Sequence, residues 1–224
     1  MSDYAPQLTS MEGKFLPPGF DYLEFIIREA WLRKMKVFAS TMVFVEGDYV
    51  RKMGNVFEDA VFKDFYQSVV CDVNGMRVPV TSTGKNGFVN PALPEVQDRA
   101  INIMKEIVAR YDVDGIITDY CRYADINADF SDYSKNDFVG FLEQKYNDMN
   151  ARNMTFPKDI VPYWKNVSGQ IVPAATGVYY KRWLEYRANV MHDFIQRARA
   201  GVKVSGRKSN LGRMLVHGMP PIIR

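Results

Sequence analysis

Val113-Asp114-Gly115-Ile116-Ile117-Thr118-Asp119-Tyr120-Cys121-Arg122-Tyr123 is the stretch on which the fold reading turns. Val113, Ile116 and Ile117 read as a short buried strand, and Asp119 falls where that strand runs out. A carboxylate at the C-terminal tip of a buried parallel strand stands where β/α barrels carry their catalytic groups. Burying a carboxylate without a partner is costly. An aspartate at that tip therefore needs hydrogen-bond partners or a chemical role.

Working outward, Asn90-Pro91-Ala92-Leu93-Pro94-Glu95-Val96 leads into an amphipathic segment that runs to Tyr111. Pro94 suits a first helical turn, where its missing N–H costs nothing. Glu95 and Asp98 lie near the positive end of the helix dipole. Val96, Ala100, Ile103, Ile107, Val108 and Tyr111 recur at helical spacing and give one apolar face. A helix feeding a short apolar strand is an α/β unit.

The same unit appears earlier in the chain. Residues 1–19 read as loop, with Pro6, Pro17, Pro18 and Gly19 as breakers. Asp21 is placed to cap a helix to about Lys34, and Lys36 to Val45 reads as a buried strand. Residues 46–94 form a long excursion with a short helix near Glu58 to Gln67 and a hairpin about Asn74-Gly75. Beyond Asp119 a loop passes through Asp125, Asp129 and Asp132. A helix is expected from Ser134 to about Asn147, with Ser134 and Asp137 forming a capping-box-like start. Residues 149–175 read as irregular around Pro157, Pro162 and Pro173. A last helix spans about Thr176 to Ala200, with Arg187 extending its charged tip past an apolar stem. The fold class is α/β, a partial TIM-type (β/α) barrel with parallel strands and long βα loops. Two strands are fewer than the eight of a whole barrel. Residues 1–203 are read as one partial barrel domain and 204–224 as an irregular basic tail.

Composition narrows the function classes. The 224 residues are 47% hydrophobic and 13% aromatic, enough for a real core. No apolar run reaches the ~20 residues of a membrane span, and Met1 to Thr9 has no signal-peptide pattern. Cys71 and Cys121 form no metal or redox spacing and read as two buried free thiols. With His192 and His217 as the two histidines, neither a histidine-rich metal site nor a charge-relay triad is expected, and no cofactor is called for. The net charge of +3 hides an asymmetry. Seven of the 29 Lys and Arg lie between Arg197 and Arg224, where there is no Asp or Glu, so 22 basic residues face 26 acidic ones elsewhere. A nucleic-acid surface needs basic residues spread over a folded face, and none is expected here.

These residues resemble the bacterial family-10-like glycosyl hydrolases, barrels related to the α-amylase type, in their Bacteroidetes branch. Tyr4-Ala5-Pro6 followed by Gly19-Phe20-Asp21 looks like the family's loop after its second strand. Lys36-Val37-Phe38-Ala39-Ser40 is similar to the third strand. Gly87-Phe88-Val89-Asn90-Pro91, Pro94-Glu95-Val96 and Tyr111-Asp112-Val113-Asp114-Gly115-Ile116 are similar to the run into the fourth. Ala128-Asp129-Phe130-Ser131 and Trp183-Leu184-Glu185-Tyr186-Arg187 also match. The α-amylase type carries Arg two residues before its nucleophile, where this chain has Ile117, and Met42 stands where a polar residue is usual. After Lys203 no fifth strand with its carboxylate is read. The resemblance implies a fragment truncated at both ends, whose full-length relatives are exported and act on oligo- or polysaccharides.

Glycoside hydrolysis needs two carboxyl groups across the scissile bond. The resemblance makes Asp119 the nucleophile or stabilising carboxylate; the alternative is an aspartate that caps the next loop. Asp114, at the strand's start, is assigned a turn or cap role. Glu46 and Asp125 are considered as the partner acid, against a reading as ordinary loop acids. Arg122 either holds Asp119 ionised and bonds sugar hydroxyls or forms a salt bridge. Tyr120 stacks on a sugar or packs in the core, Tyr123 lies alongside, and Asn90 bonds a substrate hydroxyl or closes the Asn-Pro turn. Thr41 and Ser40 are weaker candidates. The competing function is a non-catalytic carbohydrate-binding or remnant barrel. Its exposed sheet edges would favour self-association, and the chain alone is expected to be inactive.

Overall fold

The computed structural model describes residues 10–11, 14–15, 20–205 and 214–216. In chain order the elements are β1 (Ser10–Met11), β2 (Lys14–Phe15), α1 (Tyr22–Leu32), β3 (Phe38–Met42), α2 (Asn55–Glu58), β4 (Val69–Cys71), β5 (Arg77–Pro79), α3 (Pro94–Arg110), β6 (Gly115–Asp119), α4 (Asp132–Tyr146), β7 (Tyr163–Val167), β8 (Gln170–Ala175), α5 (Tyr180–Ser205) and β9 (Met214–Val216). They fall into two compact units, one of Met1–Val43, Asp98–Asp119 and Ile195–Arg224, the other of Phe44–Gln97 and Tyr120–Phe194.

The first unit is built on a parallel sheet of order β3-β6-β9. Phe38 to Met42 run in register with Gly115 to Asp119, and Ile116 to Thr118 with Met214 to Val216. The expected parallel α/β arrangement is therefore present, with β6 in the middle. The expectation of an irregular end after Lys203 is corrected: α5 continues to Ser205, and Met214–Val216 supplies the third strand. Val37 donates its N–H to Asp114 Oδ2 at 2.9 Å, so Asp114 ties the foot of β6 to the approach to β3, the structural role expected of it. Ala39, Met104, Val108, Val113, Ile116, Ala198 and Val202 are all buried. Gly201 lets α5 run close to α3, because a Cβ there would stand 3.2 Å from Ile101 Cγ2.

Asp21 caps α1 as the sequence predicts, with Oδ1 accepting from the N–H groups of Leu23 and Glu24 at 3.1 and 3.0 Å. Helix α1 nonetheless buries none of its residues. Trp31 and Leu32 are 73% and 63% exposed, and at the C-terminal end of β3 Met42 is 59% exposed.

The second unit carries two antiparallel hairpins, β4-β5 and β7-β8. The first turns at Asn74-Gly75 as predicted; Asp72 Oδ1 accepts from the N–H groups of Asn74 and Met76, and Gly75 has φ +78°. The second corrects the irregular reading of residues 149–175. The short helix expected near Glu58 to Gln67 is a π-helical turn, Phe62–Tyr66, with the one-turn α2 just ahead of it. The cap of α4 is also corrected: Ser131, not Ser134, is the N-cap, and its hydroxyl accepts from the Ser134 N–H at 3.2 Å. The core is aromatic, with Phe130, Phe138 and Trp183 each less than 2% exposed. Cys71 and Cys121 are both buried, and burial pushes the Cys71 thiol up to about 12.

Candidate functional site

In the first unit, the functional candidate is the last residue of the central strand. Asp119 pairs with Met42 in the parallel register, and its carbonyl accepts the Val43 N–H at 2.9 Å, so the ladder extends to the strand's end. Its side chain is half-buried, whereas Thr118 before it is fully buried. Among the described residues, Asp119 is the carboxylate carried on a C-terminal tip of the three-stranded sheet. Ser40 is exposed, and the Thr41 hydroxyl is buried without a hydrogen-bond partner among the described residues.

The second unit holds the other candidates on the loop of residues 120–131. Tyr120 adopts the left-handed conformation, φ +49°, an arrangement uncommon for a side chain with a Cβ. Its carbonyl accepts the Arg122 N–H at 2.8 Å, which reverses the chain at once. The Arg122 guanidinium lies over the rings of Phe88 and Tyr120, 5.4 and 5.3 Å from their centroids. Its Nη1 donates to the carbonyls of Tyr123 and Ala124 at 3.1 and 2.9 Å. Tyr120 packs edge-on against Phe88, as its core-packing alternative foresaw.

The remaining candidates divide between two further networks. Asp125 pairs with Lys85 through Oδ2 at 2.8 Å, and its Oδ1 accepts the Ile126 N–H. Tyr123 is buried, burial pushes its phenol up, and its ring lies 4.3 Å from the Arg187 guanidinium carbon. Asn90 is 1% exposed and closes the Asn-Pro turn, with Oδ1 accepting the Ala92 N–H at 2.9 Å. Its Nδ2 donates to the hydroxyls of Ser131 and Ser134. The Ser134 hydroxyl in turn donates to Asp129, a fully buried carboxylate that also accepts from Ser68 Oγ, Val69 N and Ser131 N. Glu46, the other acid considered, accepts from Asn55 Nδ2 at 2.7 Å. Among the described residues no group of three or more His, Cys, Asp or Glu is placed to hold a metal ion.

The expected course of Arg187 is corrected. Its tip does not extend into solvent. The guanidinium is buried, and Nη2 and Nη1 donate to the carbonyls of Asp125 and Ile126 at 2.8 and 3.1 Å. Sequence reasoning missed Arg187, Lys85 and Asp129 as organisers of the loop. Arg187 and Lys85 bond partners 40 or more residues away, and Asp129 joins its neighbours Ser131 and Ser134 to Ser68 and Val69 about 60 residues back, so local spacing does not signal these long-range links.

Alternating helices and strands on a parallel sheet, with an acid on the tip of the central strand, make this an α/β protein. The chain belongs to the glycosyl hydrolase-like 10 family, whose model matches residues 1–210, in agreement with the resemblance drawn from the sequence. It is similar to an S-layer-related protein of Niallia circulans, 27% identical over 186 residues that make up 81% of this chain and 11% of that protein. It is also similar to the glycosyl hydrolase DigH of Escherichia coli (strain K12), 30% identical over 104 residues, 44% of this chain and 22% of that one. The chain thus covers 11% and 22% of the length of these two curated relatives. In fold it is similar to the β-galactosidase from Bacillus circulans sp. alkalophilus, with a TM-score of 0.51 at 10% identity, covering 83% of this chain and 27% of that one.

Proposed function

We propose that this chain forms part of a (β/α) barrel that hydrolyses O-glycosyl bonds in an oligo- or polysaccharide, with Asp119 as nucleophile or stabilising carboxylate. The observation that carries this reading is the position of Asp119 on the tip of the central parallel strand in a chain of the glycosyl hydrolase-like 10 family. Tyr120 and Arg122, with Phe88, offer a ring face and a cation for a sugar. Hydrolysis also needs a second carboxyl group about 5 to 9.5 Å away, the distance depending on mechanism. Glu46 and Asp125 already have partners in Asn55 and Lys85, which favours a chain that binds glycan and does not cleave it alone. A purely carbohydrate-binding role is the second reading, supported by these same two engaged acids.

The test is a panel of oligosaccharides followed both by reducing-sugar release and by titration calorimetry, on the wild type and Asp119→Asn. Saturable binding is expected, with no sugar release above the Asp119→Asn baseline. Hydrolysis lost in Asp119→Asn would overturn the inactivity of the isolated chain. An absence of binding across the panel would overturn the glycan reading. Binding untouched by Asp119→Asn would favour the second reading.

Self-association through β3 belongs to the same proposal. A parallel strand at a sheet edge presents unpaired backbone groups, and a lysine there blocks pairing. The expected result is concentration-dependent sedimentation of the wild type, shifted toward monomer by Met42→Lys. The same sedimentation profile for both would remove the edge as the cause.

A further inference from the structure

Arg187 presents a problem that its neighbours do not. It is 9% exposed, burial disfavours its charged form, and Nε is buried without an acceptor among the described residues. Its two hydrogen bonds go to main-chain carbonyls. Burying this cation carries a desolvation cost that the two carbonyls, the Tyr123 ring face and the more distant charges of Asp129 and Asp125 offset in part. An apolar side chain would fill this place at lower cost, so packing alone does not account for an arginine here.

The geometry does account for it. A planar fork reaches two successive carbonyls, Asp125 and Ile126, which a lysine's single ammonium does not match. The Asp125 carbonyl also accepts the Ala128 N–H at 3.3 Å, so the fork sits on the turn that shapes the loop. The ring of Tyr123 lies against the same guanidinium. One residue earlier on α5, the Tyr186 hydroxyl donates to Asp137 Oδ2 of α4 at 2.7 Å, which anchors the helix from which Arg187 reaches out. Farther along, the loop has a separate fastening: Cys71 N donates to the Asn127 carbonyl at 3.0 Å and Asn127 Nδ2 to the Cys71 carbonyl at 2.6 Å.

We propose that Arg187 is a positioning residue, whose fork on the Asp125 and Ile126 carbonyls sets the path of loop 120–131 and with it the presentation of Tyr120, Arg122 and Asp125 to a glycan. The second half of this statement rests on the glycan reading above, while the first half stands without it.

The test compares the 224-residue wild type, Arg187→Lys and Arg187→Met by amide hydrogen exchange and by glycan titration. In both variants the Ile126 and Ala128 amides are expected to exchange at least tenfold faster. The Cys71 amide and those of α4 should stay within twofold, and the Kd for glycan should rise at least tenfold. A role limited to burying positive charge predicts instead that Arg187→Lys exchanges like the wild type, and that result would overturn the proposal. So would unchanged glycan affinity in a variant whose loop amides have sped up. Loss of the folded circular dichroism spectrum in both variants would make Arg187 a core residue and end the positioning role. If the wild type binds no glycan, the functional reading fails, and the exchange rates still decide whether Arg187 sets the loop.

Discussion

Asp129→Ala is expected to cost about 3–5 kcal/mol of folding stability, one of the largest single losses available in this chain. The carboxylate is fully buried and accepts from two backbone N–H groups, Val69 and Ser131, and two hydroxyls, Ser68 and Ser134. Hydroxyls can rotate toward other acceptors, whereas the two N–H groups are fixed by the backbone. A buried donor left without an acceptor costs about 1–3 kcal/mol. Asp129→Asn keeps the shape but turns an NH2 group toward donors, so it should recover only part of the loss. Domains of this size have about 5–15 kcal/mol in hand. Urea unfolding should therefore show a much lower midpoint with an unchanged slope for Asp129→Ala. A loss below about 1 kcal/mol would mean that water satisfies these donors and that the network carries little of the stability.

Trp183→Ala should cost a similar amount, about 3–5 kcal/mol, for a different reason. Trp183 is 1% exposed and lies against four rings, with centroid distances of 5.1 Å to Phe130, 4.9 Å to Phe138, 5.3 Å to Tyr186 and 6.0 Å to Phe156. Those rings come from three separate stretches of chain, so a cavity there cannot close by one local shift. For a protein of this length the expected loss lowers the melting temperature by roughly 10 °C. The indole N–H has no acceptor among the described residues. Trp183→Phe removes that unsatisfied donor along with some area and should cost about 1–2 kcal/mol. If Trp183→Phe proves as damaging as Trp183→Ala, the indole N–H has a partner after all.

The legible parts of this fold are those with a local cause. Asp21 precedes an apolar-periodic run, and the structure uses it as a cap. Asn74-Gly75 turns the first hairpin, and Pro94 opens α3. Asp119 is readable as a strand tip because the apolar run before it is short and Asp119 ends it. The illegible parts depend on partners far away. Strands β7 and β8 are masked in the sequence by Pro162 and Pro173, and the structure accommodates them with a register shift at Tyr163/Trp164. β9 is three residues among glycine, proline and basic residues, and it becomes a strand because β6 offers it an edge. The sequence places the α4 cap at Ser134; the structure uses Ser131, and the Ser134 hydroxyl donates instead to Asp129, which also binds Ser68 and Val69 about 60 residues back. At the candidate site, Arg122 is readable as a cation three residues after the strand tip. Its aromatic seat depends on Phe88, 34 residues earlier, and Arg187 finds its carbonyls about 60 residues back.

The first compact unit takes its residues from three separate stretches of chain and the second from two. Neither can be cloned as one uninterrupted stretch, and a stop codon anywhere before Ile195 truncates both at once. A single protease nick within residues 98–119 breaks the covalent path between the first and last segments of the first unit. Engineering either half calls for splicing distant segments with new linkers, and shortening the reading frame will not isolate one.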